Sequence, residues 1–122
     1  DRLVQVFINL ITNAKKYCRA DAPALTILVG RRSDGITVDF VDNGEGIPAD
    51  AQAVIFEKFY RATGAEGDGA GLGLAICREI MHRLDGEISY LTSYDGAAFR
   101  VYLPASALAS AQTDQSELTQ PA

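Results

Sequence analysis

Three glycines at alternate positions, Gly69, Gly71 and Gly73, stand at the start of a segment with helical periodicity. Glycine lets a backbone approach a phosphate closely, and the free N–H groups at a helix start favour an anion. The stretch therefore indicates a phosphate-binding loop, with a flexible loop that binds nothing as the alternative. It does not contain the G-x-x-x-x-G-K-[S/T] pattern of a P-loop, and no G-x-G-x-x-G follows a strand.

A polar stripe lies on the first predicted helix. Asn9 and Asn13 are one turn apart, and Lys16 lies beside them on the same face. A carboxamide oxygen can ligate Mg²⁺, which usually keeps waters and substrate phosphates as its other ligands. Lys16 can pair with phosphate, and Tyr17 could lie against an aromatic base. The alternative for this stripe is an ordinary solvated face.

A carboxylate at a strand end is the third feature. Asp42 ends a predicted strand and is followed by Gly44 and Gly46. A carboxylate can accept a hydrogen bond from an exocyclic amine, which adenine carries and guanine lacks at the same position. The two glycines would let a flat ring approach the backbone, and the alternative is a simple Asp-Asn-Gly turn. Together the three segments predict a nucleotide pocket.

Periodic patterns define the elements that must position these residues. Apolar residues at helical spacing predict helices over residues 1–18 and 71–84, with a short helix near 50–56. Short segments separated by turn residues predict strands over residues 24–31, 36–42, 86–92 and 97–103, with turns at Asp34-Gly35 and Asp95-Gly96. Pairs of neighbouring strands indicate antiparallel hairpins, so we expect a mostly antiparallel sheet with helices on one face.

Two segments lack the side chains needed to join a core. Residues 61–70 have almost no large apolar side chain, which predicts a mobile loop. Residues 105–122 consist mainly of small and polar residues, so we expect a disordered or linker tail. The predicted domain is therefore residues 1–104.

The bulk composition is that of one globular domain. The chain has 122 residues, of which 48% are hydrophobic and 22% charged. A net charge of −5 gives no electrostatic reason to expect nucleic acid. Cys18 and Cys77 are too few for a disulfide framework, which favours two reduced thiols in the cytosol. No apolar run is long enough to cross a membrane, but the start inside a predicted helix suggests a piece of a longer parent, which could itself be membrane-anchored.

In their order along the chain, the segments resemble the catalytic domains of histidine kinases. Residues 9–17 resemble their N box, 42–46 the G1 box, 56–61 the F box and 69–74 the G2 box. The resemblance covers residues 1–104. It implies the Bergerat fold of DNA gyrase, mismatch-repair ATPases and a heat-shock chaperone. This fold is an α/β two-layer sandwich with a mixed, mostly antiparallel sheet of about five strands and three helices on one face.

The resemblance also implies ATP and Mg²⁺ as cofactors, with a role for each matching position. Asn13 would ligate Mg²⁺, with Asn9 at or near the metal, and Lys16 would contact phosphate. Asp42 would read the adenine amino group, and Arg61 would steady the γ-phosphate next to a lid over residues 60–70. The other implied nucleotide contacts are Tyr17, Gly44, Gly46, Ile47, Phe59, Gly69, Gly71, Leu72, Gly73 and Leu74.

Asn9 distinguishes between two chemistries of the superfamily. Members that hydrolyse ATP have a Glu at this position, where it acts on the attacking water. A neutral amide has no useful basicity, which favours transfer to an acceptor that is already nucleophilic, such as imidazole. His82 is the only histidine and is followed by Arg83 instead of an acidic residue. We therefore expect His82 to face solvent and the isolated chain not to phosphorylate itself.

The leading interpretation is the cytoplasmic catalytic domain of a two-component sensor histidine kinase. Its expected partners are a dimerisation and histidine phosphoacceptor domain and a response regulator, with a monomeric chain and a homodimeric parent. Two alternatives remain open from the sequence: a serine-phosphorylating anti-sigma-factor kinase of the same fold, and a non-catalytic nucleotide-binding interaction module.

Overall fold

One antiparallel sheet forms the base of the domain. The computed structural model describes residues 2–18, 20–57 and 73–107. In chain order the elements are α1 (Arg2–Tyr17), β1 (Leu25–Arg32), β2 (Gly35–Asp42), α2 (Ala49–Gln52), α3 (Gly73–Arg83), β3 (Glu87–Tyr90) and β4 (Ala98–Pro104). The strands lie in the order β1-β2-β4-β3, and each neighbouring pair is antiparallel. The predicted α/β two-layer class is confirmed.

The strand count and the strand directions differ from the expectation of about five strands in a mixed sheet. The described residues contain four strands, and all of their pairings are antiparallel. The four segments predicted as strands are the four observed strands, while the fifth strand was expected only from the resemblance. β4 lies between β2 and β3 and runs opposite to both, which leaves no parallel pair.

The core lies between one face of the sheet and the helices α1 and α3. Every second residue of β2 and β4 points into it, as the period of a strand requires. The buried members are Val6 and Leu10 of α1, Cys77, Ile80 and Met81 of α3, and Val38, Phe40, Ile88, Phe99, Val101 and Leu103 of the sheet, together with Ile55. Phe7 of α1 packs on Phe40 with ring centroids 5.3 Å apart.

The other face of the sheet is held by a charged pair. Asp39 and Arg100 lie directly opposite each other on β2 and β4. The Arg100 Nε donates to one carboxylate oxygen at 2.7 Å and Nη2 to the other at 2.9 Å. Asp39 is buried, and its hydrogen bonds raise the pKa of Arg100. This two-pronged pair fixes the β2–β4 register away from the helices.

The β1–β2 hairpin turns one residue earlier than predicted. Arg32 pairs with Gly35, so the loop consists of Ser33 and Asp34. Gly35 is buried against β4, where a Cβ would lie 2.1 Å from the carbonyl oxygen of Leu103. The glycine is therefore required for close packing between strands.

The ends of the domain show two further features. Ile11 has the helical spacing of the apolar face of α1, yet it is 43% exposed. After β4, residues 105–107 are helical, and Ala105 donates its N–H to the carbonyl of Asp34 at 2.8 Å. Among the described residues, no helix is both long and apolar enough to span a membrane.

Candidate nucleotide-binding site

Asp42 has one carboxylate oxygen occupied and one available. Its Oδ1 accepts the backbone N–H of Gly44 at 2.8 Å and that of Ala97 at 3.0 Å. Asp42 also donates its own N–H to the Ala97 carbonyl at 2.9 Å. Within the described residues the carboxylate has no further hydrogen-bond partner. Two backbone donors therefore orient the side chain and leave Oδ2 for a ligand.

Glycine is required on both sides of this carboxylate. A Cβ on Gly96 would lie 1.9 Å from the Asp42 carbonyl oxygen, so no side chain fits there. Gly46 has φ +81°, and a Cβ on it would lie 3.1 Å from the carbonyl oxygen of Asp95. A positive φ strains other residues. These close approaches bring the 91–97 loop under the end of β2.

Tyr90 fixes the loop after Asp42 from below. Its hydroxyl accepts the backbone N–H of Ile47 at 2.9 Å, and the Ile47 carbonyl accepts the Gln52 amide at 2.8 Å. The ring of Tyr90 packs edge-on against Phe99 with centroids 5.3 Å apart. Ile47 itself is half-buried and packs against the core. Both the N–H and the carbonyl of Ile47 are therefore held by side chains.

Asn43 ties this loop to the end of α1. Its Oδ1 accepts the N–H of Ala24 at 2.9 Å and the thiol of Cys18 at 3.4 Å, and its Nδ2 donates to the Ala22 carbonyl at 2.9 Å. Cys18 also faces Gly44, where a Cβ would lie 3.3 Å from the sulfur. The amide thus keeps the 42–46 segment next to the last turn of α1.

The polar stripe of α1 leads from this loop towards α3. Asn9, Asn13 and Lys16 are half-buried, and the ammonium of Lys16 lies 5.3 Å from the centroid of the Tyr17 ring. Tyr17 is 36% exposed. Partial burial at each of these positions is suited to side chains that rest on the domain and face a ligand.

The far end of the stripe contacts α3. The Asn9 amide donates to the sulfur of Cys77 at 3.5 Å, and the Cys77 thiol lies 3.9 Å from the Val6 carbonyl. Burial raises the pKa of Cys77, an effect that the Asn9 hydrogen bond partly offsets. From Asn9 to Cys18 the helix rises about 13 Å. α1 therefore contacts the Asp42 loop at its C-terminal end and α3 near its middle.

Gly73 and Leu74 begin α3. Leu74 packs against the core, whereas a Cβ on Gly73 would meet nothing within 4 Å among the described residues. A helix start is suited to an anion, because its first N–H groups have no acceptor within the helix. The remaining predicted contacts lie outside the described residues: Phe59, Arg61, Gly69, Gly71 and Leu72.

The donors at the site fit Mg²⁺ with substrate phosphates better than a cage made by the protein alone. In the part of the chain that the structure describes, no three His, Cys, Asp or Glu residues converge on a metal-sized site. The available oxygen donors are the carboxamides of Asn9 and Asn13, and Mg²⁺ is commonly held by few protein ligands plus phosphates. The fit therefore depends on the orientation of these two amides.

His82 is exposed, as predicted. Its Nε2 lies 3.9 Å from a carboxylate oxygen of Glu87, and its side chain is 57% exposed. It lies on the outer face of α3, away from the core side that carries Cys77.

The sequence did not predict the residues whose hydrogen bonds fix the site residues in place. Asn43, Tyr90 and Ala97 give no signal of their own, and the helical spacing of Cys77 indicates only a core residue. Gly96 lies between two paired strands, as the predicted turn requires, but the contact that it makes gives no signal in the sequence. Strand β3 ends at Tyr90 and β4 begins at Ala98, so Gly96 lies in a longer loop that contacts Asp42.

Comparison with known proteins agrees with this geometry. Residues 1–107 match the family model described as histidine kinase-, DNA gyrase B- and HSP90-like ATPase. The sensor protein VanS of Enterococcus faecium is 41% identical over 108 residues, which are 86% of this chain and 28% of VanS. The signal transduction histidine-protein kinase BaeS of Escherichia coli K12 is 36% identical over 108 residues, 85% of this chain and 23% of BaeS.

A solved structure shows the same fold. The mycobacterial sensor histidine kinase MprB superposes with a TM-score of 0.74 at 25% identity, covering 84% of this chain and 72% of that one. Fold and relatives together define a catalytic domain of the protein-histidine kinase type. The chain belongs to the histidine kinase-, DNA gyrase B- and HSP90-like ATPase family. It spans about a quarter of the length of the two relatives named above.

Proposed function

We propose that this chain binds Mg-ATP and donates the γ-phosphoryl group to a histidine on a separate dimerisation and phosphoacceptor domain, in the cytoplasm. The observation that carries the proposal is the carboxylate of Asp42. Two backbone N–H groups hold its Oδ1, while Oδ2 can accept the amino group of adenine. Gly44 and Gly46 keep the loop beside it packed on the domain, because an added Cβ would lie 3.3 Å from the Cys18 sulfur or 3.1 Å from the Asp95 carbonyl oxygen.

The polar stripe of α1 supplies the phosphate end of the proposed site. Asn13 would ligate Mg²⁺ through its amide oxygen, with Asn9 at or near the metal. Lys16 would pair with a phosphate oxygen, and Arg61 would steady the γ-phosphate. The metal, when bound, neutralises charge on the phosphate oxygens during transfer. This supply of positive charge suits a chain whose net charge is −5.

The chemistry of Asn9 favours transfer over hydrolysis. Its amide donates to Cys77 and has no basic atom that could take a proton from water. An imidazole nitrogen needs no such base, because the attacking nitrogen of neutral imidazole carries no proton that must be removed. In the proposed step this nitrogen bonds to the γ-phosphorus while the bond to the bridging oxygen breaks and ADP leaves. The acceptor and a downstream response regulator are the partners that this step requires.

The metal assignment is tested by Asn13→Ala. Because one Mg²⁺ ligand is lost, we expect the Mg²⁺-dependent part of the ATP affinity to fall about tenfold or more, measured by calorimetry with and without EDTA. Thr12→Ala, an exposed change on the same turn, is the control and should leave both affinities unchanged. Unchanged Mg-ATP binding by Asn13→Ala would refute the assignment.

The acceptor is tested by mixing. The chain and a separately made phosphoacceptor domain from a related histidine kinase are incubated with ATP labelled at the γ-phosphate. We expect acid-labile phosphohistidine on the added domain and none on the chain alone. Acid-stable phosphoserine on a protein substrate would instead support the serine kinase alternative. Label on His82 of the isolated chain would contradict the proposed requirement for a separate domain.

A further inference from the structure

We propose that Cys77 is a positioning residue for Asn9: its sulfur holds the nitrogen of the Asn9 side-chain amide and so turns the amide oxygen towards the phosphate end of the site. The inference rests on the proposed function, because it concerns which atom of Asn9 a bound Mg-ATP would meet. It assigns a role at the site to a core cysteine.

The direction of the two hydrogen bonds at Cys77 decides the orientation. The Val6 carbonyl oxygen, 3.9 Å from the sulfur, can only accept, so the thiol proton points towards it. The sulfur then presents its lone pairs to Asn9, whose Nδ2 lies 3.5 Å away. A lone pair accepts only from an N–H group, so the nitrogen of the amide faces the sulfur of Cys77 and the oxygen faces away from that sulfur.

Such a constraint matters because a carboxamide has two nearly equal orientations. The terminal torsion of Asn is broad and roughly two-fold, so the side chain alone selects neither. Mg²⁺ takes oxygen ligands, and an N–H group turned towards it would be repelled. Cys77 is fully buried and cannot rearrange with solvent, whereas Asn9 is half-buried. A fixed partner therefore selects the orientation that is useful for metal or water.

The same contact joins the two helices that line the site. Asn9 lies on α1, whereas Cys77 lies on α3, about one turn after its first residue, Gly73. α1 and α3 also share the buried pair Val6 and Cys77. A shift of α3 would thus change the hydrogen bond that orients the Asn9 amide.

Two substitutions of Cys77 separate its polar role from its packing role. Cys77→Ser keeps both a donor and an acceptor, while Cys77→Val fills similar space with neither. We expect Cys77→Val to lose about three- to tenfold of the Mg²⁺-dependent gain in ATP affinity, with binding in EDTA unchanged. Cys77→Ser should stay within about twofold of the unchanged chain, since it preserves the hydrogen bonds. Calorimetry on the 122-residue chain measures both.

Ile80→Val is the matched control, because it trims a buried side chain of the same helix that has no polar contact with Asn9. This substitution should leave the Mg²⁺-dependent gain in ATP affinity unchanged. A double-substitution cycle adds specificity: in an Asn9→Ala background, Cys77→Val should cause no further loss. An equal loss with and without Asn9, or with and without Mg²⁺, would show that Cys77 acts by packing alone and would overturn the proposal.

A measurement on the unsubstituted chain covers the case in which Cys77→Val does not fold. Hydrogen exchange of side-chain amides, followed by NMR without nucleotide, should be several-fold slower for Asn9 than for exposed Gln5 on the same helix. Equal exchange rates would overturn the inference. Since this readout needs no nucleotide, it is independent of the proposed function, which fails instead if the unsubstituted chain does not bind Mg-ATP.

Discussion

The two ends of the candidate site are held in different ways. At the base end, the Asp42 carboxylate is fixed by backbone N–H groups, and Gly96 packs directly on the backbone of Asp42. At the phosphate end, the Asn9 amide is held by one contact to sulfur, and a Cβ on Gly73 would meet no atom within 4 Å among the described residues. At the first end, backbone groups hold the functional side chain, whereas at the second a side chain on one helix holds a side chain on another.

The difference has a physical consequence for recognition. The Asp42 carboxylate is already fixed by two backbone N–H groups, so a base that hydrogen-bonds to its other oxygen binds without the cost of ordering that side chain. Side chains on α1 can adjust to phosphates, whose number and charge change during a reaction, and to the metal that accompanies them. The base end is therefore suited to deciding which nucleotide binds, and the phosphate end to accommodating substrate and product.

The largest loss of ATP binding is expected from Asp42→Asn, which alters the group proposed to recognise the base. Asparagine can keep its oxygen on the two backbone N–H groups, but its nitrogen then faces the amino group of adenine, so two donors meet. We expect ATP affinity to fall about 10- to 100-fold and any preference over GTP to narrow. Calorimetry with both nucleotides measures this.

Asp50→Asn, an exposed change of the same charge on α2, is the control for Asp42→Asn and should bind ATP normally. A melting temperature close to that of the unsubstituted chain would show that the fold is retained. Unchanged ATP affinity in Asp42→Asn would place base recognition elsewhere.

A pair of glycine substitutions compares the two ends directly. In Gly96→Ala the added Cβ collides with the Asp42 carbonyl, so we expect about 1–3 kcal/mol of lost stability together with weaker ATP binding. Gly73→Ala adds a Cβ that meets no described atom within 4 Å and should preserve stability, yet weaken ATP binding if phosphate approaches there. Denaturant unfolding and calorimetry separate the two effects. If both variants lost stability equally, the proposed contrast between the ends would be wrong.

The smallest effect is expected from Tyr90→Phe. Removing the hydroxyl leaves the Ile47 N–H without its acceptor, which should cost about 1 kcal/mol and weaken ATP binding about two- to fivefold. The matched variant is Tyr102→Phe, whose hydroxyl bonds the Asp34 carbonyl at 3.3 Å near the hairpin turn. ATP affinities that fell equally in both variants would show that Tyr90 has no particular role in holding the loop at the base end.

Local patterns in the sequence were enough for the elements and the class of the fold. Strand-like runs bounded by turn residues marked the four strands, with period-two burial clear in β4, and helical spacing marked α1 and α3. The same spacing put Asn9, Asn13 and Lys16 on one stripe and Asp42 at a strand end. The amide at position 9 also favours phosphoryl transfer to an existing nucleophile, because this inference needs only the residue type and its place in the motif.

Only the tertiary structure decided what holds those residues. Ala97 and Asp42 are 55 positions apart, Tyr90 and Ile47 are 43 apart, and Asn9 and Cys77 are 68 apart. A residue's own periodicity says which face it occupies, but it does not say which distant loop or helix will lie against that face. The order β1-β2-β4-β3 brings the 91–97 loop to Asp42, and the packing of α3 on α1 brings a thiol to Asn9. The sequence by itself determined the reactive groups, and the fold determined their orientation.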